Sequence, residues 1–348
     1  MIHDFRNGTR VNGDLFLVTD CKMGTGNTGK RYLSVSLQDA SGTIEGKKWD
    51  VAPEDEDIFQ KGNLVSIDGD VLSYRDQLQM KIYEAESVSK EGVDWSMFVA
   101  NAPVAKDKMV LKLKSYLDSI QDPDVKSLVC ESLKGYKEKY LSWPAASKNH
   151  HNYVGGLLYH SLTMADAAAS LAKIYPSLNR DVLLGGVLLH DLGKTIELSG
   201  PEATVYTLEG KLLGHLTIGA SIVREAGKRL GFDAYPLSGN PTSEEEEKAF
   251  RRYELWVCFQ HMLLSHHGKA EFGSPIPPLT REALAVSMID DFDAKMMILD
   301  KAFGSIQKGE TTLKLFTMDE RSFYYPYYSV DPADPGLSVE EENAILKK

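Results

Sequence analysis

Cysteine is scarce in this chain. Cys21, Cys130 and Cys258 stand far apart without paired spacing, which excludes a disulfide framework and a thiolate zinc site. Long apolar runs are missing too, since none approaches the ~18–20 residues that span a bilayer. The opening residues Met1 to Arg6 have no signal-peptide core. A cytoplasmic location without a membrane partner is the expectation. Positive charge is in short supply: 39 Lys and Arg face 50 Asp and Glu, for a net charge of −11. The deficit is spread, with 11 Lys and Arg against 15 Asp and Glu in residues 1–90. So acidic a chain lacks the broad basic field of many nucleic-acid binders, and a polyanionic substrate must be recognised by local features. What remains is the composition of a globular protein, 43% hydrophobic and 26% charged, long enough for two or three domains with cores of their own.

Residues 10–90 carry strand signals. Runs from Val11 to Val18, Tyr32 to Leu37, Ile44 to Trp49, Leu64 to Leu72 and Leu78 to Val88 are separated by turns rich in glycine, such as Gly24 to Gly29. Five short strands without helical periodicity predict a small closed barrel. The stretch Leu37 to Asp50 resembles the second and third strands of an OB-fold of the nucleic-acid-binding type. Such barrels stack bases on aromatics beside basic side chains. Tyr32, Lys48, Trp49, Tyr74 and Arg75 are the candidate contacts, with Lys30, Arg31, Lys47 and Lys81 nearby; the plainer alternative makes Trp49 a core residue and the lysines solvated decoration.

From residue 91 the pattern turns helical. Val104 to Tyr116 and Asp124 to Tyr140 predict two connecting helices over 91–143. Residues 144–315 then predict an all-α domain, and 316–348 a tail whose aromatics (Phe323, Tyr324, Tyr325, Tyr327, Tyr328) suit a strap across the body better than a stacking surface. Within the helical domain one helix follows His160 and one ends at Leu189. A third opens at Gly214-His215, a fourth is started by the capping box Ser243 to Glu246, and a last runs from Thr280 to Phe303. The whole is an α+β multidomain chain: a five-stranded OB-type barrel over 1–90, then the helices.

The chemistry concentrates at His190-Asp191, where an apolar helical run ends and Gly193 and Lys194 follow. A neutral nitrogen beside an anionic oxygen suits a divalent metal. His-Asp alone is weak evidence, but His160, His215, His266, His267 and Asp290 all lie in or beside helical patterns. His160, His190, Asp191 and Asp290 can hold one ion from three helices. His215 with His266 and His267 can hold a second, with Asp191 shared and either histidine of the pair free to be a supporting residue. Two ions ~3.5–4 Å apart stabilise both the attacking and the leaving oxygen of phosphodiester cleavage. Asp191 and Lys194 are therefore candidate catalytic residues, the lysine steadying charge on the phosphate. His151 is a candidate proton donor, or with His150 an ordinary turn residue. Asp293, one turn past Asp290, can orient a ligand.

Longer strings carry a resemblance. Pro144 to His151 with Gly155 to His160, Leu189 to Pro201, Leu212 to His215, Gln260 to Glu271 and Ile289 to Lys295 are similar to the YhaM-type bacterial 3′→5′ exoribonucleases, which join an OB-fold to an HD-domain metal phosphohydrolase. The likeness covers nearly the whole chain except the tail. It implies a metal-dependent nuclease, with Mn2+ the expected ion at two per chain and other divalent metals compatible. Such an enzyme removes nucleoside 5′-monophosphates from the 3′ end of single-stranded RNA, with single-stranded DNA as a second substrate. Self-association into a homo-oligomer is compatible with the sequence. Two alternatives stand beside this reading: an HD phosphohydrolase of nucleotides or cyclic dinucleotides, and a non-catalytic RNA-binding scaffold.

Overall fold

A computed structural model describes residues 1–330 apart from 27–28, 75–76, 100–101, 146–152, 202–203, 236–240 and 242, and only the backbone of Ser96. The chain divides into two compact units, one comprising Met1–Asn101 with Ser199–Val205, the other Ala102–Leu198 with the residues from Tyr206 on.

Alternation builds the first unit. Strands β1 (Arg10–Thr25), β2 (Arg31–Asp39), β3 (Gly42–Trp49), β4 (Leu64–Tyr74) and β5 (Gln77–Val88), with a one-turn helix α1 (Asp55–Ile58) before β4, form a closed barrel in the order β1-β2-β3-β5-β4. On β2, Leu33, Val35 and Leu37 point inward while Tyr32, Ser34 and Ser36 point out, the period of two that a half-buried strand requires. β1 is long enough to pair with both β2 and β4, and register shifts at Val18/Asp20 and Asn12/Asp14 let it bend between them. The parallel pairing of β3 with β5 closes the barrel.

The second unit is helical: α2 (Lys106–Ser119), α3 (Pro123–Lys134), α4 (Lys137–Ser142), α5 (Gly156–Ile174), α6 (Arg180–Leu189), α7 (Lys194–Glu197), α8 (Leu208–Arg229), α9 (Glu244–Ser265) and α10 (Arg281–Phe303). Every residue of α6 from Leu183 to Leu189 is buried, and a helix apolar all round belongs at the centre of a bundle. Asn179 caps α6 through Asp181 and Val182, Ser243 caps α9 through the amide of Glu246, and Thr280 caps α10. None of these helices is long and apolar enough to cross a membrane among the described residues.

Two helix boundaries differ from the sequence expectation. The run Asp124 to Tyr140 is two helices, because the chain leaves the ladder at Gly135-Tyr136 and restarts. The helix expected to open at Gly214 instead begins at Leu208, capped by Thr207, and is kinked at Gly214, whose φ of 70° and ψ of 157° are not helical. Of the tail aromatics, Tyr325 is buried and stacks on Phe303 at 4.5 Å, whereas Tyr327 and Tyr328 are exposed; residues 331–348 lie outside the described residues.

Candidate metal centre

Five imidazoles and two carboxylates meet where the ends of α6 and α9 face α5, α8 and α10. His160 projects from α5, His190 follows α6, His215 sits just past the kink in α8, His266 and His267 follow α9, and Asp290 lies on α10. Each ring is turned by its outer nitrogen. His190 Nδ1–H donates to the carbonyl of Val187 at 2.8 Å, His266 to Leu263 at 2.7 Å and His267 to Phe272 at 2.8 Å. His215 Nδ1 bonds Glu197 at 3.0 Å and His160 Nδ1 bonds Asp293 at 2.7 Å. A carbonyl only accepts, so the Nδ1 protons are fixed and the Nε2 atoms are aimed inward. This is how ligating histidines are oriented in metal proteins.

The inward atoms fall into two groups around Asp191. Its Oδ2 lies 3.2 Å from His190 Nε2 and 3.8 Å from His160 Nε2. Asp290 Oδ1 is 3.1 Å from His160 Nε2 and 3.9 Å from His190 Nε2. The other oxygen, Oδ1, is 3.4 Å from His215 Nε2 and 3.7 Å from His266 Nε2. His215 and His267 bring their Nε2 atoms within 3.2 Å. Asp191 Oδ1 and His266 Nε2 are both buried and lack a hydrogen-bond partner. Buried acceptors are ordinarily satisfied, so two that face each other across a ring of imidazoles fit a cation. The ligand atoms of His160, His190 and Asp191, of His215, His266 and His267, and of His190, His266 and Asp290 each lie within 4.8 Å of one another, the last set joining the first two. Nitrogen-rich sets with carboxylate suit manganese, iron or zinc.

Electrostatics divide the same way. Burial drives the His160 proton off, but hydrogen bonds to Asp290 and Asp293 outweigh it and push the ring up to about 10. Burial pushes His215, His266 and His267 below the ordinary imidazole value. Burial also opposes ionisation of Asp191, yet Lys194 and His190 hold it well below the usual carboxylate range. The Lys194 ammonium is 2.6 Å from Asp191 Oδ2, so its nearest partner is that carboxylate.

The fold thus brings together His160, His190, Asp191, Lys194, His215, His266, His267 and Asp290. His151 and Arg75 lie outside the described residues. On the barrel, the Tyr32 and Trp49 rings lie 4.8 Å apart, tilted by 36°, and, with Tyr74, line a groove of about 850 Å³. Trp49 is 41% exposed. Lys48 sits on the other face of β3, its ammonium 3.7 Å from Asp55, and Lys47 takes the groove position. Glu197, which carries no role in the sequence reading, both accepts the backbone N–H of His215 at 3.0 Å and holds its ring. Its burial in the otherwise apolar run Ile196 to Leu198 is the one signal that marks it.

Comparison with known proteins agrees in extent. The HD domain family matches residues 157–295, and a helicase family designated TraI_2 matches residues 102–177. A protein of Geobacillus sp. (strain WCH70) named 3'-5' exoribonuclease YhaM is 41% identical over 314 residues, 90% of this chain and 91% of that protein. The second OB-fold domain of replication protein A from Methanococcus maripaludis aligns with 23% of this chain and 84% of its own at 18% identity and a TM-score of 0.17. At that score it adds nothing to what the strand order already shows.

Proposed function

Because the chain belongs to the family of the 3'-5' exoribonuclease YhaM, we propose that it is a cytoplasmic, metal-dependent exoribonuclease acting on the 3′ end of single-stranded RNA, with single-stranded DNA as a second substrate. The observation that carries this reading is Asp191, whose Oδ2 faces His190 and whose Oδ1 faces His215. His160, His190, Asp191 and Asp290 would hold one divalent ion, and His215, His266 and His267 with the same Asp191 a second, Mn2+ being the expected occupant. The bound ions supply Lewis acidity at phosphorus.

The chain's own groups do the rest. Val187, Leu263 and Phe272 carbonyls keep three rings in the tautomer that offers Nε2, while Glu197 and Asp293 do so for His215 and His160. Lys194 keeps Asp191 ionised and oriented, and its charge would steady a phosphate as negative charge grows on it. Water adds its oxygen to the phosphorus of the terminal nucleotide and gives up a proton to solvent. The bond to the 3′ oxygen of the preceding nucleotide breaks, and that oxygen takes a proton, for which His151 is the proposed donor. The products are a nucleoside 5′-monophosphate and a strand shorter by one.

The barrel groove supports a polymer over a small substrate, since stacking aromatics are of use to a strand with successive bases. The test is to incubate the whole chain and Mn2+ with an oligoribonucleotide labelled at its 5′ end. A descending ladder is expected. Internal fragments alone, or an intact oligonucleotide with cleavage of a cyclic dinucleotide, would overturn the reading.

A further inference from the structure

Among the described residues that line the groove on the barrel, Lys47 carries the positive charge. The lining from β2, β3 and β5 includes Tyr32, Trp49, Lys47, Glu45 and Gln79, and Lys47 is committed, with its ammonium 2.7 Å from Glu45 Oε1 and 2.8 Å from Ser34 Oγ. Glu45 is itself held from three strands. Ser34 on β2 donates to Oε1 at 2.5 Å, Lys47 on β3 donates to the same oxygen, and Gln79 on β5 donates to Oε2 at 3.2 Å. The cross-strand register explains the convergence, since Ser34 pairs with Lys47 and Gln79 with Glu45.

A carboxylate fixed in this manner is a poor neighbour for phosphate and a good one for an amine. It has about four lone-pair sites, of which three are taken, and the side chain remains 51% exposed. The open site belongs to Oε2. Lys47 Nζ also lies 5.0 Å over the Tyr32 ring, so its ammonium covers that face of Tyr32 and stands between the carboxylate and the tilted pair Tyr32–Trp49. Glu45 and Trp49 line the same groove, so a base laid against the exposed Trp49 ring can turn an edge toward the carboxylate. Acidic side chains accept from the exocyclic amine of cytosine, and uracil presents a carbonyl oxygen at the same position.

Resting on the reading of the barrel as a single-strand binder, we infer that Glu45 is a specificity residue: it accepts a hydrogen bond from the exocyclic amine of a base stacked beside Tyr32 and so disfavours uracil. Cytosine and uracil are of one size and stack alike, which makes their comparison a test of the edge alone.

The experiment measures binding of the full chain, without added divalent metal, to fluorescent oligocytidylate and oligouridylate of equal length by anisotropy at pH 7.5 or so. The wild-type protein is expected to favour cytidylate by about tenfold, within the range a base-edge contact supplies. Glu45→Gln, whose amide can donate as well as accept, should bring the two affinities to within about twofold of each other. Circular dichroism checks that the variant folds, and Gln79→Ala, which frees Oε2 without removing it, should retain the preference. An unchanged cytidylate preference in folded Glu45→Gln, or none in the wild type, overturns the assignment and leaves the barrel a binder. Failure to bind either oligonucleotide overturns both this inference and the reading it rests on.

Discussion

The two halves of the metal centre share one carboxylate and otherwise differ in kind. On one side, His160 and His190 stand with Asp191, Asp290 and, behind His160, Asp293. On the other, His215, His266 and His267 stand with one oxygen of Asp191 and, behind His215, Glu197. The first half is rich in anionic oxygen and draws a proton onto His160; the second is rich in neutral nitrogen and sheds protons. An ion entering the first half must displace a proton, whereas the second half already offers bare lone pairs. The difference teaches that, on the proposed two-ion reading, the shared carboxylate would join unequal sites.

Removing the bridge tests what the halves have in common. Asp191→Ala should strip both sites and lower turnover on the order of 10³-fold or more, beyond the ~10²–10³ that losing one stabilising donor costs. Metal content of the purified variant and its single-turnover rate measure this; near-normal turnover in excess Mn2+ would sink the site assignment. Emptying one half at a time separates them. Asp290→Ala should remove the ion of the carboxylate-rich half and His266→Ala/His267→Ala that of the other. Each should leave one ion per chain and cost about 10²-fold in rate. Two ions still present in the double histidine variant would rule out the second site.

Weaker perturbations act from behind the ligands. Glu197→Gln and Asp293→Asn should each weaken one half by about 10–100-fold in metal affinity while sparing the other, as is usual for groups that orient ligating histidines. Calorimetric titration with Mn2+ should then show one displaced step of two. Displacement of both steps by either change would break the division into halves. The gentlest probe is pH. Affinity in the first half should rise about tenfold per unit between roughly pH 6.5 and 8.5 as the His160 proton becomes easier to lose, because the folded value of about 10 keeps that ring protonated throughout. The second half should be nearly flat there, its rings being held below the ordinary value by burial. Parallel slopes would show that the halves are alike after all.

Much of this centre is legible in the sequence because metal ligands come from few residue types. The doublet His190-Asp191 and the pair His266-His267 stand out at the ends of apolar helical runs. The barrel is legible for a similar reason, as alternation over Tyr32 to Leu37 and Ile44 to Trp49 has a single period. What the sequence hides is the partner set of common residues. Glu197 is one of 50 acidic residues, and its role depends on α7 and α8 meeting in space. Lys47 and Lys48 are adjacent, and only the strand register decides which faces the groove. The turns before Gly214 hide too: the glycine reads as a helix start, and nothing in the spacing of Leu208, Leu212 and Leu213 announces that the helix has already begun at Leu208.

Behind Asp191, chain rests directly on chain. A methyl group on Gly193 would lie 2.0 Å from the carbonyl oxygen of His215 and 2.8 Å from the amide of Gly219, so no side chain fits between the turn after Asp191 and the start of the main run of α8. The main chain that carries the shared carboxylate therefore rests on the main chain of His215, and only the two side-chain rotamers, held by Lys194 and Glu197, set the remaining distance. A substitution elsewhere in the core has no side-chain layer here through which to shift one backbone against the other.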